Sequence, residues 1–183
     1  MIPDIVQNGA AVLRKKAAEV PLSDIGSAKI KKALKDMRAA LETQDDGVAL
    51  AAPQIGVSLR VFIVSKAALH LPKELKERKE MNTKELKRAA GYLTFINPVL
   101  TKLSKERTLV DEGCLSVRPL YGKIKRSKKA TITAYDEYGR KFTRGASGLL
   151  AQIFQHECDH LDGALFIDKA TDVKEMSKIS ANG

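Results

Sequence analysis

The run Gln155-His156-Glu157-Cys158-Asp159-His160 constrains this chain more than any other stretch. The surrounding residues Ser147 to Leu161 read as a helix. Leu149, Leu150, Ile153, Phe154 and Leu161 supply its apolar stripe, and Gly163 stops it. On such a helix His156 and His160 lie one turn apart on the same face, where two imidazoles can share one metal ion. Glu157, next to the first of them, can reach a water on that ion instead of the ion itself. An amphipathic helix can carry this pattern without metal. However, two imidazoles and two carboxylates on a half-buried helix need partners. Cys158 lies about 200° around the helix from His156, which assigns it to core packing.

Two histidines leave a metal site incomplete, because a catalytic zinc or iron site takes three protein ligands and keeps one position open. The chain of 183 residues has only three His and two Cys, so the third ligand has few candidates. After His160 there is no His, and the sole Glu is Glu175, in a tail read as poorly anchored. The remaining histidine, His70, lies in a polar stretch and reads as solvated. Cys114, in Glu112-Gly113-Cys114-Leu115-Ser116, falls between expected strands beside a glycine. A turn there can present the sulfur and neighbouring N–H groups to a site; the plainer reading is a small buried hydrophobe. The third segment is Gly47-Val48-Ala49-Leu50-Ala51-Ala52-Pro53-Gln54. Small residues let a backbone pass close to a ligand, and the Gln54 amide can meet an oxyanion; a tight loop packed under a strand is the alternative.

With 44% hydrophobic residues the chain can bury a core, and its length fits one domain over 1–183. Two cysteines make no disulfide framework, which places the chain in a reducing cytoplasm; the stroma or matrix of an organelle is the alternative. No apolar run is long enough to span a membrane, and the first residues lack the pattern of a secretory signal. Residues 27–44 read as a helix capped by Ser27, with Ile30, Leu34, Met37 and Leu41 on one face. Residues 59–65, 92–101, 107–111, 130–136 and 140–144 read as strands, with a kink at Asn97-Pro98 and a turn at Tyr138-Gly139. Residues 66–91 read as a charged surface insertion, part helical, and 169–183 as a short tail. The expected fold is α+β: mostly antiparallel strands wrapped around the C-terminal metal-binding helix, with an N-terminal helix.

The formal charge is +10, and five cations crowd the seven residues 123–129. Such a run either belongs to a solvated face or loop or contacts an anion such as RNA or a ribosome surface. Two rival functions stay open on the residues alone. One is a zinc endopeptidase built on the same helix. The other is a non-catalytic ribosome- or RNA-binding protein with a structural metal.

GVALAAPQ (47–54), EGCLS (112–116) and QHECDHL (155–161), in this order and spacing, resemble the peptide deformylases. The likeness runs along most of the chain. It implies a hydrolase that removes the formyl group from the N-terminal formyl-methionine of nascent peptides. Water on a metal ion attacks the formyl carbon, with Glu157 as general base and then acid. It implies Cys114, His156 and His160 as metal ligands, and Gln54 with the N–H of Leu115 as oxyanion donors. Gly47, Val48, Ala49 and Gly113 would line the substrate. Glu112 would pair with Arg126, and Asp159 would support the ligands, with Asp46 a weaker candidate. One divalent ion is implied, Fe²⁺ in the cell, with Zn²⁺ or another ion expected in a purified sample. The partners implied are formylmethionyl nascent peptides and, through the basic surface, the ribosome; neither DNA nor a membrane is expected. Two departures from the family pattern stand out. Ala49 replaces the second loop glycine, and 66–88 is longer than the usual connection.

Overall fold

The computed structural model describes residues 1–69 and 82–175. Among these residues three α-helices and eight strands follow one another: α1 (Ala28–Glu42), β1 (Ala49–Ala51), β2 (Val61–Ser65), α2 (Thr83–Ala90), β3 (Tyr92–Leu103), β4 (Arg107–Gly113), β5 (Leu120–Ser127), β6 (Lys129–Tyr135), β7 (Lys141–Ser147), α3 (Gly148–Leu161) and β8 (Thr171–Glu175). The strands form a five-stranded sheet in the order β1-β2-β3-β6-β7 and a three-stranded sheet in the order β4-β5-β8. Every named pair is antiparallel. This is the α+β architecture of antiparallel strands around a C-terminal helix.

The apolar run of β2 explains how the layers stack. All five of its residues are buried, which a strand shows when both faces are covered. Phe62 and Val64 point to one cluster with Phe154, Cys158 and Leu161 of α3, while Val61 and Ile63 join Ile30, Leu34, Met37 and Leu41 of α1. The sheet is thus sandwiched between α1 and α3. Three aromatic rings set the position of α3. Phe62 stacks on Phe95 at 4.5 Å, and Phe154 meets Phe95 edge-on at 5.2 Å. The first helix starts where Ser27 accepts the Ile30 N–H. In β3, register shifts between Ile96 and Val99 surround Asn97-Pro98, and Asn97 has φ of 49°. Its side chain holds both the N–H and the carbonyl of Val20.

Two segments differ from the sequence reading. The basic run at 123–129 is largely the strand β5, which the sequence reading did not identify. Lys123 and Lys125 are exposed, while Gly122, Ile124 and Arg126 between them are buried. Counting charges hid this period of two. The tail also carries a strand: β8 pairs with β5, Leu120 opposite Glu175. Its residues are all exposed, so hydrogen bonding at an edge holds it, not a hydrophobic pattern. In the charged insertion, α2 is capped by Asn82 and Glu85 reciprocally. His70 and the stretch 70–81 lie outside the described residues, as do 176–183.

Gly163 ends α3 with φ of 78°, and a Cβ there would lie 2.9 Å from the Arg14 carbonyl carbon and oxygen. Gly163→Ala should therefore combine a left-handed backbone with a clash against main chain, costing about 2–4 kcal/mol. Chemical denaturation would show a lower midpoint; an unchanged midpoint would contradict this account.

Candidate metal centre

Strand β4 carries Glu112 and Gly113 to a turn that turns Cys114 toward α3. There Cys114 Sγ lies 3.2 Å from His160 Nε2, and one ligand atom each from Cys114, His156 and His160 falls within 4.8 Å of the others. Thiolate and imidazole ligands on one tetrahedral ion sit about 3.5 Å apart, so this spacing suits a metal. His156 uses its Nδ1 on Glu112 Oε2, 2.9 Å away, and leaves Nε2 free to ligate. Glu112 is gripped on its other side by Arg126, through Nε at 2.8 Å and Nη2 at 2.9 Å. Arg126 in turn reaches Asp159 at 2.6 Å, and Lys169 reaches Asp159 at 3.2 Å.

The charges follow from these contacts. Burial alone would raise the Glu112 carboxyl, but the hydrogen bonds from Arg126 and His156 hold it down at about 2. Burial likewise works against a charged His156, yet Cys114 and Glu112 on either side raise its pKa well above the ordinary value. His160, buried and facing His156, is pushed well below the ordinary value and stays neutral. Thiolate and neutral imidazole are the forms that bind metal, so a divalent ion would take the place of protons on these side chains. The Glu157 carboxyl is pushed up to about 7 by burial, with His156 opposing and Glu112 reinforcing. Its Oε2 and His160 Nδ1 are buried with no hydrogen-bond partner among the described residues. An orphan of this kind costs about 1–3 kcal/mol, and the one on Glu157, which lines the cleft, fits a site built for a ligand and not for packing alone. The donor set and its second contacts therefore fit one divalent ion. Cys158 lies in the core beneath, its thiol pushed up to about 12 by burial.

A cleft of about 680 Å³ opens over these groups. It is bordered by Gly47, Val48 and Ala49, by Gln54, by Glu112 to Leu115, and by His156 and Glu157. Leu149 and Ile153 of α3 and Pro119, Leu120 and Tyr121 add apolar wall. β1 is the end strand of its sheet. Asp46 and Arg118 form an ion pair across the mouth.

Sequence reasoning missed the groups that hold the two donor turns. Ser116, fully buried, accepts the Gln54 Nε2–H at 3.2 Å, and the same amide points at Cys114 Sγ, 3.6 Å away. Gln54 Oε1 accepts the Ala51 N–H at 2.8 Å. From the N-terminal segment, Val6 N–H binds the Gln54 carbonyl, Gln7 Nε2 binds the Leu115 carbonyl and Asn8 N–H binds the Ser116 carbonyl, at 2.9, 3.0 and 2.7 Å. The only signal for Ser116 was its place in the EGCLS run; nothing local marked residues 6–8.

A cleft floored by an HExxH helix and a facing cysteine defines a candidate metallohydrolase. The chain belongs to the polypeptide deformylase family, whose family model matches residues 2–176. It is 40% identical over 168 residues to "Peptide deformylase 1A, chloroplastic/mitochondrial" of Arabidopsis thaliana, covering 92% of this chain and 61% of that one. The chain thus spans about three fifths of the length of this plant relative and of its tomato counterpart. It is 35% identical over 161 residues to "Peptide deformylase 2" of Clostridium acetobutylicum, covering 88% of this chain and 90% of that one. The peptide deformylase structure from Thermotoga maritima superposes with a TM-score of 0.74 at 30% identity, over 93% of this chain and 99% of that one.

Because a metal displaces a proton here, uptake should release protons and tighten as pH rises, which titration calorimetry in buffers of different ionisation enthalpy measures. Glu112→Gln should weaken the metal about 10–100-fold in chelator competition. Equal affinity in the variant would mean that the Glu112–His156 contact does not tune the site.

Proposed function

We propose that the chain hydrolyses the formyl group from the N-terminal formyl-methionine of newly made polypeptides, releasing formate and a free amine. The observation that carries this reading is the convergence of Cys114, His156 and His160 beside the buried Glu157. They meet in a cleft bordered by the end strand of a sheet, within a chain of this family. Cys114, His156 and His160 would hold one divalent ion. When bound, the ion supplies Lewis acidity, which acidifies water and draws charge from a carbonyl.

The remaining steps belong to side chains. The substrate backbone pairs along Gly47–Ala49, and the methionine side chain lies against Leu149 and Ile153. Glu157 takes a proton from the attacking water; a dication nearby lowers its carboxyl from the metal-free value toward the ionised form. The C–N bond of the formamide then breaks as Glu157 returns the proton to the leaving nitrogen. The Gln54 amide and the Leu115 N–H hold the oxyanion, and one such donor is worth about 3–4 kcal/mol. Ser116 and Gln7 keep those two donors aimed.

A thiolate ligand gives the ion more charge than a third imidazole and accepts Fe²⁺ or Zn²⁺. Fe²⁺ is the ion of the working enzyme in this reading, and zinc replaces it readily because it binds such sites more tightly. The reading places the chain where translation occurs under reducing conditions, the cytoplasm or an organelle. The exposed Lys123 and Lys125 of β5 offer the ribosome a basic face. Among the described residues, no helix is long and apolar enough to cross a membrane.

Anaerobically purified protein should release formate from a formyl-Met peptide; no release at full metal occupancy would sink the proposal. Glu157→Gln should keep the metal and lose about 10²–10⁴-fold in turnover. Cys114→Ser should weaken metal binding, seen as reduced occupancy by elemental analysis; full occupancy would remove Cys114 from the ligand set.

A further inference from the structure

Among the described residues, Lys87 is the one lysine that is buried, 4% exposed, and it lies in α2 of the charged insertion. Its Nζ donates to the Leu41 carbonyl at 3.2 Å and to the Gln44 carbonyl. These are carbonyls of the end of α1 and the turn after it, which a helix leaves without intrahelical donors. A cation there also complements the negative end of the helix. Burial lowers the Lys87 pKa, and the nearby Asp45, Asp46 and Glu42 oppose that, so the charge is matched on the spot.

The Gln44 carbonyl that Lys87 holds is also the acceptor of the Gly47 N–H at 3.3 Å. Gly47 begins the stretch that borders the cleft. It is packed so closely that a Cβ would lie 2.8 Å from Leu41 Cδ1 and 3.2 Å from Leu115 Cδ1. The neighbouring contacts brace the same place. Arg88 binds Glu42 at 2.6 Å, and the Tyr92 hydroxyl donates to Glu42 at 3.3 Å. At the far end of the turn, the Val48 carbonyl accepts the Ser65 N–H at 2.9 Å, and the Lys66 N–H reaches the Gly91 carbonyl. The insertion therefore leaves β2 and returns to β3 against the turn that feeds the substrate edge.

We infer that Lys87 is a positioning residue for substrate binding: through the Gln44 carbonyl, α2 holds the Gln44–Gly47 turn so that the Gly47–Ala49 backbone presents a fixed edge to the peptide. This gives the charged insertion a task in the reaction and rests on the deformylase reading for the identity of the substrate. A group that acts through the turn contributes to peptide binding in ground state and transition state alike, so its loss falls on KM.

The test compares the full-length, metal-loaded chain with Lys87→Met, Lys87→Arg and Lys87→Gln. Lys87→Met keeps the length and fills the space without a donor. It should raise KM for a formyl-Met peptide about tenfold, the loss of one charge-assisted hydrogen bond, with kcat within about twofold. Lys87→Arg should recover most of the loss. Hydrogen exchange of the segment 44–49, read by mass spectrometry on the same proteins without substrate, should be about tenfold faster in Lys87→Met than in the parent, by the same conversion. Lys87→Gln, shorter but still a donor, should fall between them, and it stands in if Lys87→Met does not fold. Unchanged exchange at 44–49 overturns the inference, as does a fall in kcat that matches the rise in KM. Absence of formate release by the parent chain would instead sink the deformylase reading and leave the exchange result to judge Lys87.

Discussion

Glu112 is buried between Arg126 and His156, and the site depends on that arrangement. A lone carboxylate with 3% of its side chain exposed would be strongly destabilised. The bidentate Arg126 removes that cost and leaves one lone pair for His156 Nδ1. Through that contact Glu112 fixes which nitrogen of His156 faces Cys114 and makes the ring a better donor. Arg126 also ties in Asp159, on the same helix as both histidines. One guanidinium thus fastens the β4–β5 hairpin to α3 and sets the distance between the cysteine turn and the helix.

The apolar core positions the same helix from the other side. Phe154 packs on Phe95 while, on the opposite face, His156 lines the cleft and His160 lies buried against Cys114. Packing resists sliding because aromatic rings interlock with few voids. The ion pairs add direction, which a hydrophobic contact lacks. The two together hold ligand atoms at a few ångströms although they come from residues far apart in the chain.

The two departures expected from the family pattern lie near each other, one in the wall of the cleft and one behind it. Ala49 stands beside the edge where a peptide would pair, and the long insertion returns behind the turn that leads to it. Among the described residues, neither touches the Cys114–His160 contact. Variation here would alter how a peptide is held while leaving the chemistry of the three ligands alone. That separation is what a cleft made from one rigid helix and one edge strand allows.

Residues 155–161 announced their role from spacing, since a turn of helix places i and i+4 together whatever the tertiary structure. The buried strand β2 and the helix α1 were equally legible, because periodicity reports which face meets the core. The strand β5 was not, since its cations masked the alternation of Ile124 and Arg126. Nor was β8, which has no buried side chain to leave a pattern. Among the site residues, local spacing could relate His156 to His160 but could not bring Cys114 within 3.2 Å of His160. Ser116, Gln7 and Lys87 escaped for the same reason: each acts on a backbone or side-chain group 40 or more residues away. The sequence by itself determined the helix, its two imidazoles and the adjacent carboxylate. Only the tertiary structure decided what faces them, because hydrogen bonds and ion pairs between distant segments depend on how the layers dock and leave no period in the chain.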